Sequence, residues 1–198
     1  MKNYFAKLRE NEEKGFSLVE LIIVMAIMAI LVGVVASQVI PYMEKSRQAK
    51  DQQQLSSIAT DITSAVASSG QTVDTVGTTT AGSEVGVKLE DIFDENAGSG
   101  TMIGADATAT QKITDEFCSL RDTSGGANPP QISQIVKDVK AKLKSKAANQ
   151  GAKQEKAKAI SDGEIYVIYD AAKSKSTIFM SSDSNLKNAV AKLTVESE

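Results

Sequence analysis

The chain divides into one long apolar segment and a more polar remainder. In residues 16–43, 22 of 28 positions are apolar, against 41% in the whole chain of 198 residues. A run of about 25 such residues measures roughly 37 Å as an α-helix, which is long enough to cross a bilayer. An ordinary secretory signal has a shorter apolar region and a small-residue cleavage site. We therefore expect a charged leader over residues 1–15, a membrane-spanning segment over residues 16–43 and a head domain over residues 44–198.

Glu20 is an acidic residue inside this apolar segment. An ionised side chain at the centre of a bilayer costs roughly 3 kcal/mol on insertion scales, and acids inside membranes usually have a cationic partner. The nearest candidates are Lys14 and, if the chain is cut after Gly15, the new α-amino group of Phe16. Alternatively, Glu20 lies at the membrane surface and is solvated.

Residues 14–24 have the sequence KGFSLVELIIV, which closely resembles the processing site and N-terminal helix of type IV pilins and pseudopilins, a class III prepilin signal. The resemblance is close over residues 14–36. In that family a prepilin peptidase cuts after the glycine on the cytoplasmic face, the new terminal phenylalanine is N-methylated, and the fifth mature residue is glutamate. The resemblance implies that Gly15 is the cleavage residue, Phe16 the methylated terminus, and Glu20 the acid that pairs with a terminal ammonium during assembly.

Gly33 and Pro41 lie near the end of the apolar segment. Pilins often carry a helix-breaking glycine and proline slightly earlier. Pro41 removes a backbone donor and clashes with the preceding turn, so a bend in a filament is expected between these two residues. A straight helix with a mild kink is equally compatible with the isolated subunit.

Helical spacing continues after Pro41 into a polar sequence. One apolar stripe follows the i, i+3, i+4, i+7 pattern: Leu55, Ile58, Ala59, Ile62, Ala65 and Val66. Polar residues, including Asp51 and Asp61, are assigned to the other faces. The helix is predicted to end near Gly70, which gives a length of roughly 80 Å from Phe16.

The rest of the head domain predicts a mixture of loops, strands and helices. Residues 71–111 have a loop-like composition with an apolar island at residues 85–93, predicted as a strand and a short helix. A lysine-rich amphipathic helix follows Pro130. Residues 165–169 and 177–180 predict an antiparallel hairpin. Beyond it we expect a helix over residues 185–193, and Thr194 and Val195 either form an edge strand or trail off. The predicted fold is α+β, a long N-terminal helix packed on a small antiparallel sheet.

The composition argues against enzymatic and metal-binding functions. Histidine is absent and Cys118 is the single thiol, so we predict no enzymatic activity, no metal site and no cofactor, and interpret Cys118 as a buried structural thiol. A net charge of −3 gives no reason to expect nucleic acid as a partner. The oxygen ligands near Asp183 are too few and too closely spaced for a calcium loop.

The lysine-rich helix is either a solvated face or a contact for the acidic residues 84–95 of another copy.

The resemblance implies a structural function. The precursor would be a single-pass protein of the cytoplasmic membrane, processed by prepilin peptidase and polymerised at the membrane assembly platform into a homopolymeric type IV pilus for adhesion, motility or biofilm formation. The alternative is a pseudopilin of a type II secretion or competence system. A third hypothesis is an unprocessed membrane protein that presents a ligand-binding domain. Many Gram-negative pilins close a C-terminal loop with a disulfide; a single cysteine departs from that pattern and points towards a Gram-positive producer.

Overall fold

The computed structural model describes residues 16–97, 100–122, 130–145, 164–181, 183–189 and 193–197. Backbone contacts divide the chain into two compact units, Met1–Met43 and Glu44–Glu198. The helices are α1 (Leu18–Ser69), α2 (Ala107–Leu120) and α3 (Ile132–Lys142), with 3-10 turns at Asp91–Phe93 and Leu186–Asn188. The strands are β1 (Val87–Lys88), β2 (Glu164–Asp170), β3 (Lys175–Ser181) and β4 (Thr194–Glu196).

Helix α1 is 52 residues long and includes Pro41 without interruption. It ends at Ser69, and Gly70 follows with φ +61°, a left-handed conformation that glycine adopts at low cost at helix ends. The predicted end is therefore confirmed. The apolar stripe is also confirmed, because five of its members are completely buried in the head domain: Leu55, Ile58, Ala59, Ile62 and Ala65.

The assignment of Asp51 to a polar face was wrong. This residue is 1% exposed, and its two carboxylate oxygens accept the backbone N–H groups of Lys144 at 3.0 Å and Ser145 at 2.8 Å. It precedes Leu55 by four residues and therefore lies on the buried side of α1. The two hydrogen bonds satisfy the buried charge and fasten the chain after α3 to α1.

The head domain contains a four-stranded antiparallel sheet in the order β1-β2-β3-β4. The predicted hairpin is β2 and β3, which pair along their whole length with Val167 opposite Ile178. The apolar island forms β1 and the 3-10 turn at Asp91–Phe93, as predicted. Residues Thr194 and Val195 belong to edge strand β4. The α+β prediction, a long N-terminal helix with a small antiparallel sheet, is confirmed.

Two helical segments differ from the sequence prediction. Helix α2 begins after Asp106, whose side chain accepts the backbone N–H of Ala109 at 2.7 Å, in a region that the sequence did not mark as helical. The helix expected over residues 185–193 is a 3-10 turn at Leu186–Asn188, and residues 190–192 lie outside the described part. The proline at position 129 also lies outside it, but α3 follows Pro130 as predicted.

Aliphatic residues dominate the core, as expected for a chain with few aromatics. Two pairs of aromatic rings stack in the head domain. Phe93 stacks on Phe117 at 4.6 Å between centroids, and Tyr166 stacks on Phe179 at 5.5 Å in a second cluster on the sheet. Such pairs contribute about 0.5–1.5 kcal/mol beyond the burial of their area.

Candidate processing and assembly site

The large apolar side chains of residues 16–43 are exposed in the subunit. Their exposed fractions range from 44% at Val39 to 86% at Phe16. Among the described residues, α1 is the one helix long and apolar enough to cross a bilayer, and its most apolar 18-residue window has a mean hydropathy of 3.0 with none of it buried. An uncovered apolar surface of this size requires a lipid or protein environment.

Glu20 closes the first turn of α1. Its Oε2 accepts the backbone N–H of Ser17 at 3.0 Å, and the Ser17 hydroxyl accepts the N–H of Val19 at 3.4 Å. Ser17 is the last residue before the helix and its carbonyl accepts the N–H of Leu21 at 3.2 Å. This arrangement is a variant of the capping box: the glutamate accepts the N–H of the serine three residues earlier, and the serine hydroxyl accepts the N–H of the second helical residue instead of the third.

The capping geometry also suits charge recognition. An acid in the first turn interacts favourably with the positive end of the helix dipole. A carboxylate has two oxygens and about four acceptor sites, so the bond with Ser17 leaves capacity for a second donor such as an ammonium group. Glu20 can therefore hold the helix start and accept a cation at the same time.

The residues singled out from the sequence are placed as follows. Phe16 directly precedes the cap, and Gly33 and Pro41 lie inside continuous α1. A side chain at Gly33 would meet nothing within 4 Å. Gly15 and Lys14 lie outside the described residues, so the Lys14 alternative for pairing with Glu20 stays a prediction.

Ser17 is the residue that the sequence interpretation missed. Its position three residues before Glu20, immediately before an apolar helical run, is the S-x-x-E signature of a capping box. The donor to Glu20 is a neutral backbone N–H, whereas the sequence interpretation assigned it a cationic partner.

An ion pair in the head domain joins Asp61 of α1 to Arg121. Arg121 lies 3.2 Å from Asp61 and 5.9 Å from the ring centroid of Phe117. Burial raises the pKa of the Asp61 carboxyl above its ordinary value, while Arg121 and the Ser57 hydroxyl pull it down. The pair joins α1 to the end of α2.

Cys118 is a buried free thiol, as the sequence predicted. Burial raises the pKa of this thiol, and the nearby Asp115 carboxylate raises it further. A raised pKa leaves little thiolate at neutral pH, which agrees with a structural residue.

The turn at Asp183 is satisfied by the chain itself. One carboxylate oxygen accepts the backbone N–H of Asn185 at 2.8 Å, and the other accepts the side-chain amide of Asn188 at 2.7 Å. Across the residues that the structure describes, no group of three or more side chains could hold a metal ion.

The lysines of α3 have different environments. Lys140 pairs with Glu164 of β2 at 2.7 Å, whereas Lys137 and Lys142 are exposed. Four acids of the 84–95 segment are exposed as well: Glu90, Asp91, Asp94 and Glu95. Contact between these two groups in different copies stays a prediction.

Comparison with known proteins gives one match. Residues 11–36 match the family model described as the prokaryotic N-terminal methylation motif. No curated protein and no solved structure matches the chain. The matched range contains Ser17, Glu20 and most of the exposed apolar surface.

Proposed function

Because the N-terminal segment is that of a prepilin of the type IV pilin and pseudopilin kind, we propose that the chain is a structural subunit of a type IV pilus. The motif implies processing by a prepilin peptidase and a membrane-anchored precursor. The observation that carries the proposal is the methylation motif at the start of a helix whose first 26 residues, through Met43, expose their large apolar side chains.

Processing is proposed to divide the chain at Gly15. Residues 1–15 are removed as a leader, residues 16–43 form the membrane and filament-core part of α1, and residues 44–198 form the head domain. Phe16 then carries the new α-amino group and is N-methylated. Ser17 contributes the first peptide N–H of the mature chain, which is the group that Glu20 already accepts.

Assembly is proposed to depend on Glu20. An ionised carboxylate among aliphatic side chains has a high desolvation cost unless a cation and further hydrogen bonds compensate it. The methylated ammonium of Phe16 on a neighbouring subunit supplies that cation. Since lipid tails are as apolar as the filament core, burial of apolar area discriminates little between the two environments. The Glu20 pair therefore sets the register in which subunits leave the membrane and join the fibre.

The first experiment determines the mature N-terminus. Fibres sheared from cells are analysed by terminal sequencing and intact mass. We expect a chain that begins with N-methylated Phe16. A surface protein that begins with Met1 would refute the processing proposal and favour an unprocessed membrane protein.

The second experiment separates charge from capping at position 20. Glu20→Gln keeps an acceptor for the Ser17 N–H but removes the charge, and Glu20→Ala removes both. We expect both variants to lose at least about 90% of surface fibres while the processed subunit stays in the membrane, since the charge is needed for pairing. Glu196→Gln, at an exposed acid of edge strand β4, is the matched control and should assemble normally. Normal fibres in Glu20→Gln would contradict the pairing.

Electron microscopy distinguishes the pilus from the alternative secretion or competence pseudopilus. A pilus gives long fibres outside the cell, whereas a pseudopilus gives short fibres confined to the envelope. Short fibres would leave the processing proposal intact and replace the functional one.

A further inference from the structure

Basic residues gather where α1 enters the head domain. Lys45, Arg47 and Lys50 are exposed on α1, and Lys142 and Lys144 are exposed at the end of α3. We call these five residues the basic collar. We propose that the basic collar binds the anionic phospholipid headgroups of the membrane in which the precursor waits. The proposal rests on the membrane-anchored state of the proposed function.

Asp51 brings the two halves of the basic collar together. Its carboxylate accepts the backbone N–H of Lys144 at 3.0 Å and that of Ser145 at 2.8 Å, so the chain after α3 lies against α1 one residue beyond Lys50. Lys142 lines the same surface groove as Gln54, one turn further along α1. The same groove is also lined by Arg121 and by the acids Asp61, Asp122 and Asp138, so Lys142 lies at the edge of a mixed-charge surface. The Asp51 hydrogen bonds bring Lys144, 94 positions further along the chain than Lys50, next to the α1 part of the basic collar.

The negative charges within the basic collar are engaged locally. Glu44 lies 3.9 Å from Arg47, and both oxygens of Asp51 accept backbone N–H groups. Residues 44–51 and 142–145 together carry five cationic and two anionic side chains. These two segments are therefore net positive, although the protein as a whole has a net charge of −3.

Sequence position puts the α1 members of the basic collar directly after the apolar segment. Lys45 and Lys50 follow Met43, the last apolar residue of the exposed segment, within the same helix. At 1.5 Å per residue they lie about 3 to 11 Å further along the helix axis. The headgroup layer is roughly 5–7 Å thick on each side of the hydrocarbon core, and long lysine side chains extend towards it.

Anionic lipid fits this surface better than a second copy of the chain in the precursor state. The precursor reaches the headgroup layer through its own span, before any neighbour is present. Attraction between lysines and an anionic surface acts within about a Debye length, roughly 8 Å at physiological ionic strength, which matches these distances. Release from this layer accompanies extraction into a fibre.

The test measures lipid selectivity of the full chain. The protein is reconstituted in phosphatidylcholine vesicles with a trace of spin-labelled phosphatidylglycerol or spin-labelled phosphatidylcholine, and electron spin resonance gives the fraction of each label immobilised by the protein. We expect phosphatidylglycerol to be preferred about threefold at low salt and the preference to approach unity at 1 M salt, because salt screens exposed charges.

Two matched variants test whether the basic collar is the source of the lipid selectivity. The collar variant carries Lys45→Gln, Lys50→Gln, Lys142→Gln and Lys144→Gln. The control variant removes the same charge at four exposed lysines elsewhere in the head, Lys88→Gln, Lys112→Gln, Lys175→Gln and Lys187→Gln. We expect the collar variant to lose at least about half of the preference and the control variant to keep it; the leader cations supply the remainder.

Equal selectivity in wild type and the collar variant would overturn the proposal, whether or not the collar variant assembles fibres. An equal loss in the control variant would overturn it too, because it would indicate a general charge effect. Circular dichroism checks that both variants fold. Resistance of the protein to carbonate extraction checks the span independently, so failure of the basic collar is distinguishable from failure of the membrane assignment.

Discussion

Asp51 Oδ2 accepts the backbone N–H of Ser145 at 2.8 Å and joins two residues that are 94 positions apart in the chain. Both residues are almost fully buried, at 1% and 0% exposed. The same carboxylate accepts the N–H of Lys144. A single side chain of α1 thus fixes where the chain leaves α3.

Replacement of Asp51 should destabilise the head domain. Asp51→Asn places an amide donor opposite one of the two backbone N–H groups, and Asp51→Ala removes both acceptors. We expect each to lower the free energy of unfolding by about 2–4 kcal/mol, since hydrogen bonds to buried charged groups are strong and unpaired buried donors are costly. The measurement is guanidinium unfolding of the full chain in detergent, followed by near-ultraviolet circular dichroism. Asp138→Asn, at an exposed acid of α3, is the control and should change stability by less than about 0.5 kcal/mol.

Loss of the Ser17 hydroxyl should loosen the first turn of α1. Ser17→Ala removes the acceptor for Val19 N–H but keeps the backbone donor to Glu20. We expect a loss of about 0.5–1 kcal/mol in the first turn, which is an increase of roughly two- to fivefold in hydrogen exchange there. Amide exchange by NMR of the full chain in micelles checks this. Ser37→Ala, whose hydroxyl donates only to the carbonyl of Val34, should leave exchange in the first turn unchanged.

Asp61 should contribute to the free energy of unfolding in a way that depends on pH, and the direction of this dependence follows from its pKa. Its folded pKa is raised above the ordinary 3.8, so between the two values the folded state holds more protons than the unfolded state. The contribution of this carboxyl to stability is therefore present below pH 3.8 and is lost as pH rises through the folded pKa. We expect Asp61→Asn to gain stability relative to wild type between about pH 3 and pH 7.

Arg121→Ala should enlarge this effect, because the arginine is the main influence that lowers the pKa of Asp61. Urea unfolding of wild type and both variants across the pH series gives the differences directly. A stability difference between wild type and Asp61→Asn that is flat with pH, or that changes in the opposite direction, would contradict the assignment.

Gly33→Ala should leave folding of the isolated subunit unchanged but reduce assembly of the fibre. A Cβ at this position meets nothing within 4 Å, and alanine is more favourable than glycine inside a helix by about 0.8–1 kcal/mol. We expect normal folding and membrane insertion of the subunit. If α1 bends between Gly33 and Pro41 on assembly, fibre yield falls several-fold. Met28→Leu, a volume-conserving swap earlier in the helix, should assemble normally. Wild-type fibre yield in Gly33→Ala would reject a bend at this residue.

Periodicity and turn chemistry predicted much of the fold. The stripe from Leu55 to Ala65 has the spacing of one helix face and is buried, and the β-branched run around Val167 forms a central strand. Gly70 marked the end of α1. These elements combine a clear hydrophobic period with a clear stop, so local sequence and tertiary structure agree.

The missed features depend on polar residues in structural roles. Asp51 has the residue type of a surface position but the spacing of a buried one, and its partners are backbone groups far along the chain. Helix α2 buries Ile113 and Phe117 four residues apart, a spacing hidden by surrounding threonines and alanines. Edge strand β4 was one of two alternatives that the sequence left open, because three residues are too few for a periodic signal and its pairing with β3 is a tertiary contact. Ser17 has a local S-x-x-E signature with Glu20, but the sequence interpretation assigned Glu20 a cationic partner instead.

The chain near its C-terminal end is fastened without covalent chemistry. Ser176 donates its backbone N–H to the hydroxyl of Ser197 at 3.0 Å, Ser197 returns its N–H to the carbonyl of Ser176 at 2.8 Å, and the Ser176 hydroxyl donates to the carbonyl of Ala59 in α1 at 2.9 Å. Together with a buried Cys118, this closure responds to neither oxidants nor reductants. Formation of this closure therefore needs no thiol oxidation.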